Sequence, residues 1–259
     1  MDTFWLKITL MPAIIALVTV ISRRWGNVVG GVIAGMLWVG GGILFFIALE
    51  QGKDFAFQSL AGVMAGLIGW LAFCTAYVLI GQRLNAALTL LASVIICLLT
   101  GVLLKGLIPL FSAQVWFLIL LSSILVSAWF FPKVKGEEVE AGRPIRLEIL
   151  LRMIMITAFV LLLTYSAKAL GPTWSGILTP FPVITAVLAV FTHFGQGMHQ
   201  VRLTLMGMYT GVVGFATFLL TLVYALPFMG IGQAFLLSLV VNVISALLTK
   251  VLFTKLGVV

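Results

Sequence analysis

Long apolar runs separated by short polar breaks dominate the chain. Windows apolar enough to form membrane helices fall at about 4–22, 28–49, 56–81, 84–104, 112–131, 147–167, 174–193, 203–226 and 231–253. Each meets the length of roughly 18 residues that a bilayer crossing requires. Strict apolar/polar alternation in ten-residue segments, which would mark a membrane barrel, is absent from the sequence. The pattern predicts an all-α polytopic membrane protein with about nine transmembrane helices. The longest connector, "KVKGEEVEAGRP", holds three of the seven acidic residues and too few apolar ones to build a core, so it reads as a solvated linker. Glu148 and Arg152, spaced i,i+4 just after it, can neutralise each other at the interface.

Composition supports this reading. Of 259 residues, 63% are hydrophobic and 8% charged, whereas soluble domains are about a quarter charged. The net charge of +8 could point to nucleic acid, but the fifteen Lys and Arg occur singly or in pairs between apolar runs and form no patch. Topology accounts for them better. Placing Arg23, Arg24, Arg83, the segment from Lys133 to Arg146, Arg202, Lys250 and Lys255 on the cytoplasmic side leaves mainly Lys7, Lys53, Lys105 and Lys168 outside. The positive-inside bias then predicts an N-out, C-in protein of the bacterial inner membrane. The first apolar run is followed by its strongest positive charge and shows no A-x-A cleavage site, so it reads as a retained helix. Cys74 and Cys97 lie inside apolar runs without C-x-x-C spacing and read as packing residues.

An internal repeat organises the chain. A shift of 145 positions aligns Gly26 with Gly171, Gly31 with Gly176, Gln51-Gly52 with Gln196-Gly197, and Gly62, Gly66, Gly69 and Phe73 with Gly207, Gly211, Gly214 and Phe218. Val78, Ser93 and Lys105 continue the register onto Val223, Ser238 and Lys250. The expected organisation is a first four-helix repeat in residues 1–107, a linking helix and cytoplasmic loop in 108–146, and a second four-helix repeat in 147–259. An offset of five spans inverts the second copy, giving the layout of secondary transporters whose halves move about a midplane site.

The candidate chemistry sits where both copies interrupt a helix. The second predicted helix carries Gly40, Gly41 and Gly42, each costing about 1 kcal/mol of helix propensity against Ala. Its repeat partner, within "LGPTWSGILTPFPVITAVLAVFTHFGQG", carries Pro180 and Pro182, which remove amide donors and free carbonyls that lipid cannot solvate. These residues, with Trp38, Thr179, Phe181 and Thr185, are the candidate substrate-binding set. Glu50 and His193 end the two helices and are the candidates for proton coupling. Gly62-x-x-x-Gly66 and Gly207-x-x-x-Gly211 read as close-packing faces. Tyr77, Tyr209, Thr210 and Asn242 are secondary polar candidates.

His193 and His199 are six apart, not at the i,i+4 spacing of a helical metal pair, and no other ligand cluster exists, so no metal site is expected. No nucleophile elbow, P-loop, H-E-x-x-H or dinucleotide fingerprint is present, so neither an enzyme nor a cofactor is expected. The architecture resembles small bacterial carriers of the drug/metabolite transporter type, which join two inverted halves built around four-helix modules. Its glycine-rich segments also look like those of uncharacterised bacterial inner-membrane proteins. The carrier resemblance implies a secondary transporter for a small organic metabolite or amphipathic solute; a lipid flippase and a non-transporting scaffold or assembly subunit are the competing expectations. Expected partners are membrane lipid and a small-molecule substrate, with no nucleic acid; self-association into a homo-oligomer stays open.

The orientation is checked by single cysteines, one at Ala141 and one beside Gly52, in a cysteine-free variant. They should react with an impermeant reagent from opposite sides of the membrane, and same-side labelling would remove both the orientation and the inverted repeat.

Overall fold

A computed structural model of the chain describes residues 4–5, 7–9, 12–13, 32, 34–36, 38–130 and 146–255. The described elements are α1 (Trp38–Gln51), α2 (Lys53–Ile80), α3 (Ala86–Lys105), a 3-10 turn (Ile108–Leu110), α4 (Ala113–Phe130), α5 (Arg146–Leu178), α6 (Val183–Gln196), α7 (Met198–Ala225) and α8 (Ile231–Lys255). No strand occurs among the described residues. Most of the predicted first helix, Arg23, Arg24, Gly26, Gly31 and the long connector lie outside them, as do the side chains of Trp38, Glu148, Arg152 and Thr210.

Six of the described helical spans are long and apolar enough to cross a membrane, which marks a multi-pass membrane protein; α1 and α6 are shorter apolar helices. Burial divides the six sharply. The most apolar windows of α2 and α7 are 72% and 71% buried, against 17–28% for the other four. Thus α2 and α7 form the core and the others turn much of their surface outward. At 28 residues, each core helix is about 42 Å long, more than the hydrocarbon thickness alone requires.

The two core helices run antiparallel. Lys53, at the start of α2, donates from Nζ to the Pro227 carbonyl just past the end of α7 (3.1 Å), and near the middle the Trp70 and Tyr209 rings lie 6.0 Å apart. Tyr209 also meets the hydroxyl of Thr75 at 3.0 Å. Around this pair, α3 and α5 pack on α2, and α8 packs on α7. α4 bridges the two core helices.

The element bounds keep one register. α1 and α6 are 14 residues each and α2 and α7 are 28 each, and their starts and ends are displaced by the same 145 positions. The short joints between them are alike: Gly52 has φ 94° and ψ 166°, Gly197 has φ 82° and ψ 173°. An L side chain rarely adopts that conformation, so glycine is what lets the chain reverse in one residue between two helices. A third such residue, Gly171 (φ 72°), followed by Pro172, breaks α5 near its end. The window predicted at 174–193 therefore holds two pieces, the tail of α5 and most of α6.

Close approach depends on glycine at matched places. A Cβ on Gly66 of α2 would strike the Ile177 carbonyl and, at 2.8 Å, the Pro180 ring. A Cβ on Gly211 of α7 would strike the Val32 carbonyl and, at 2.6 Å, the backbone of Gly35. The same 145-position displacement relates these two crossings. Within each group, a Cβ on Gly69 would lie 3.1 Å from the Cys97 carbonyl and one on Gly214 2.8 Å from that of Asn242. Both cysteines are free and buried.

Gly66→Ala and Gly211→Ala should each destabilise the protein by about 1–3 kcal/mol, because rigid backbone leaves the methyl no room. Gly106→Ala, where nothing lies within 4 Å, should change stability by less than about 0.5 kcal/mol. Thermal midpoints of the purified variants in one detergent check the contrast.

Candidate functional site

The proline-bearing stretch is interrupted where its sequence demands. α5 ends at Leu178, α6 begins at Val183, and Thr179–Pro182 form the break. Pro180 has no amide to offer the carbonyl of Gly176, and the Thr179 amide serves the Ser175 and Gly176 carbonyls together, both at 3.1 Å. The Phe181 amide then bonds the Leu178 carbonyl (3.0 Å), that of Val183 the Phe181 carbonyl (2.7 Å), and that of Ala186 the Pro182 carbonyl (2.7 Å). Most of the carbonyls freed by the prolines are thus taken locally. The Ile177 carbonyl is pressed against Gly66.

The glycine run behaves differently from the expectation. Gly40, Gly41 and Gly42 are helical, inside α1, and the first-copy discontinuity falls just before them, at the turn of Met36. The physical reason is packing. The Phe215 ring lies 3.1 Å from where a Cβ of Gly40 would be, and the Phe218 ring 3.6 Å from that of Gly41. Two large rings, stacked on each other with centroids 5.4 Å apart, fill the space that missing side chains leave. That burial offsets the poor helix propensity of glycine.

The structure brings some of the candidate binding residues together and separates others. Gly40 and Thr179 meet: the Thr179 methyl is 3.8 Å from a Gly40 Cβ position. Pro180 instead faces Gly66, and Thr179 donates its hydroxyl to the Ser175 carbonyl (2.7 Å). Thr185 accepts a hydrogen bond from the Trp70 indole at 2.9 Å and is buried. Phe181 stacks on Phe159 and lines, with Trp174, Ile177, Cys97 and Gly101, a small apolar cavity of about 230 Å³. Pro182 precedes α6 as its N-cap.

The titratable candidates lie at opposite ends. Glu50, at the end of α1, forms an ion pair with Lys7. His193, at the end of α6, has its Nδ1 3.5 Å from the Tyr77 hydroxyl and its ring 6.0 Å from the tyrosine ring, edge to face. Asn242 donates from Nδ2 to the Met36 carbonyl (3.4 Å), so it serves the first discontinuity.

Sequence reasoning missed several residues that matter here. Lys7 is buried; its signal was a lone cation inside an apolar run, but its partner is 43 positions away. Trp70, Phe215 and Phe218 occupy the neighbourhood of both interruptions, and nothing in their spacing marks them apart from other core aromatics. A wide groove of about 810 Å³ is lined by α2, α3 and α4, from Ile68 and Val115 to Ile80 and Phe130. Its walls are apolar apart from Thr75, Ser122, Ser123 and Ser127. The three serines donate to carbonyls of their own helix at 2.8–3.0 Å. Ser127 also hydrogen-bonds the Tyr209 side chain, so the lone pairs of Ser122 and Ser123 are what remain to offer a ligand.

No protein-family model, curated protein or solved structure matches the chain.

Proposed function

We propose that the protein is a secondary transporter of the bacterial inner membrane. It moves a small organic metabolite or amphipathic solute by alternating access between two inverted four-helix repeats joined by α4. One observation carries the reading: both copies interrupt a helix at positions related by 145 residues, and each interruption packs on a glycine of the other copy's long helix, Gly211 for the Val32–Met36 stretch and Gly66 for the Ile177–Pro180 stretch. Broken helices at related places in two halves mark transporter binding sites, because irregular backbone at membrane depth persists only where protein or a cavity covers it. The antiparallel course of α2 and α7 is the relation expected of inverted copies.

In this reading Gly40 and Thr179 mark the midplane meeting of the halves, and Trp38, Gly41, Gly42, Pro180, Phe181, Pro182 and Thr185 are the further residues proposed for substrate binding. Substrate enters as the aromatic filling of Phe215 and Phe218 gives way. Glu50 and His193 supply proton coupling from the two ends. A lipid flippase is the second reading, favoured by the groove beside α4. Its volume falls within the roughly 300–1,000 Å³ typical of small-molecule sites, and exposed Leu118, Val126 and Phe130 lie along its rim.

Replacing Pro180 and Pro182 together by Ala should let the chain run helically from α5 into α6, so the purified variant should stay folded with an equal or higher thermal midpoint. Uptake of a panel of small polar and amphipathic metabolites into proteoliposomes should fall to background, while a fluorescent-lipid scrambling assay reports the flippase reading separately. Full uptake by a less stable variant would make the break a structural kink and remove the site.

A further inference from the structure

Lys7 is the most deeply buried charge among the described residues, only 3% exposed. Its Nζ lies 2.5 Å from Glu50 Oε1, donates to Thr164 Oγ1 at 2.7 Å and sits 5.5 Å from the centre of the Phe46 ring. Thr164 donates its own proton to the Val160 carbonyl (2.7 Å), which turns an oxygen lone pair toward the ammonium. The cation has two oxygen acceptors and one aromatic ring about it, yet the cluster is uneven. The Glu50 side chain is 22% exposed and reachable from water, whereas that of Lys7, at 4%, is sealed.

The cluster also crosses the molecule. Lys7 and Glu50 belong to the first half of the sequence and Thr164 to the second, so one ammonium ties the N-terminal segment, the end of α1 and the middle of α5. A buried ion pair is an uneconomical way to gain stability, because apolar residues of the same volume do as well or better. Removing one partner's charge, however, leaves the other buried and uncompensated at a cost of several kcal/mol. Ionisable residues inside membrane proteins mark ion pathways and switches for the same reason.

We propose that Lys7, Glu50 and Thr164 form a proton-operated latch between the two halves, with a proton as its ligand. The proposal rests on the transporter reading. A proton from the adjacent aqueous side binds a Glu50 carboxylate oxygen and converts it to the neutral acid. Lys7 keeps its charge but loses its counter-ion. The ammonium then leaves the Thr164 hydroxyl for water, and this end of the molecule opens. Loss of the proton from Glu50 restores the pair and closes it. Of the other described charged groups at this end, the Lys53 ammonium is held by the Pro227 carbonyl, Lys105 lies over the Trp174 ring, and Asp54 and Lys168 are exposed, where solvent screens them.

The test needs no substrate. In a chain with Cys74 and Cys97 replaced by Ala, buried Ala48 on α1 is changed to Cys. Its reaction with an impermeant maleimide, applied from the Glu50 side of oriented vesicles, is expressed relative to an exposed control cysteine at Asp54 in the same buffer. The native latch should protect Ala48→Cys at neutral pH and release it when the buffer is acidified, raising the relative rate about tenfold or more. Glu50→Gln should label fast at both pH values, and the exchange Lys7→Glu with Glu50→Lys should restore protection at neutral pH. A relative rate in the native pair that ignores pH overturns the latch. So does a Glu50→Gln variant of normal thermal midpoint that stays protected; if that variant fails to fold, the native pH response alone decides. A normal latch response combined with unimpaired uptake by the double proline variant would instead defeat the transporter site and leave the latch standing.

Discussion

Hydrocarbon offers no hydrogen bonds, so a helix interrupted at membrane depth must be enclosed by protein and must satisfy its own carbonyls. The rest of this structure depends on that constraint. The break at Thr179–Pro182 meets it locally through the shared Thr179 amide and the tight bonds of Phe181 and Val183. It also meets it by lying against Gly66, where a side chain would force the backbones apart. The heavy burial of α2 and α7, and the glycines that let other segments touch them, follow from the need to cover two such interruptions.

Matched positions are served by different chemistry in the two halves. Trp70 gives its indole N–H to Thr185; the pair displaced by 145 positions is Phe215 against Gly40, a ring laid on bare backbone. Only the first of these carries a hydrogen bond. Likewise Cys97 packs on Gly69, while its counterpart Asn242 packs on Gly214 and also reaches the Met36 carbonyl. The first interruption needs that donor from another helix; the second serves itself. One fold position thus takes a polar or an apolar residue, and Asn242 pairs only its Nδ2, leaving its buried Oδ1 without a hydrogen-bond partner among the described residues.

Asymmetry on a larger scale comes from α4, which lies between the stretches that the 145-position displacement relates. It leans on both core helices, and the space it leaves beside α2 and α3 is the serine-lined groove. The charges are asymmetric too. An ion pair with buried Lys7 lies at one end, and a tyrosine–histidine contact at the other. The two ends therefore differ in what would be needed to part them.

Much of this was written in the sequence. Apolar runs of bilayer length determined the helical, multi-pass class, because no other unclosed backbone can satisfy itself in lipid. Pro180 and Pro182 determined a break, since a missing amide acts on its own helix whatever surrounds it. Gly52 and Gly197, equivalent under the 145-position shift, came out as equivalent joints. The glycine run was misread for a related reason: a weak helix former yields to packing, and the Phe215 and Phe218 rings that pack on Gly40 and Gly41 come from a helix more than 170 residues away. The partners of Lys7, Thr185 and Met36 were equally hidden. Local chemistry fixes what a segment can do by itself, but a buried charge, an indole or a loose carbonyl is satisfied across space, and only the tertiary structure decides by what.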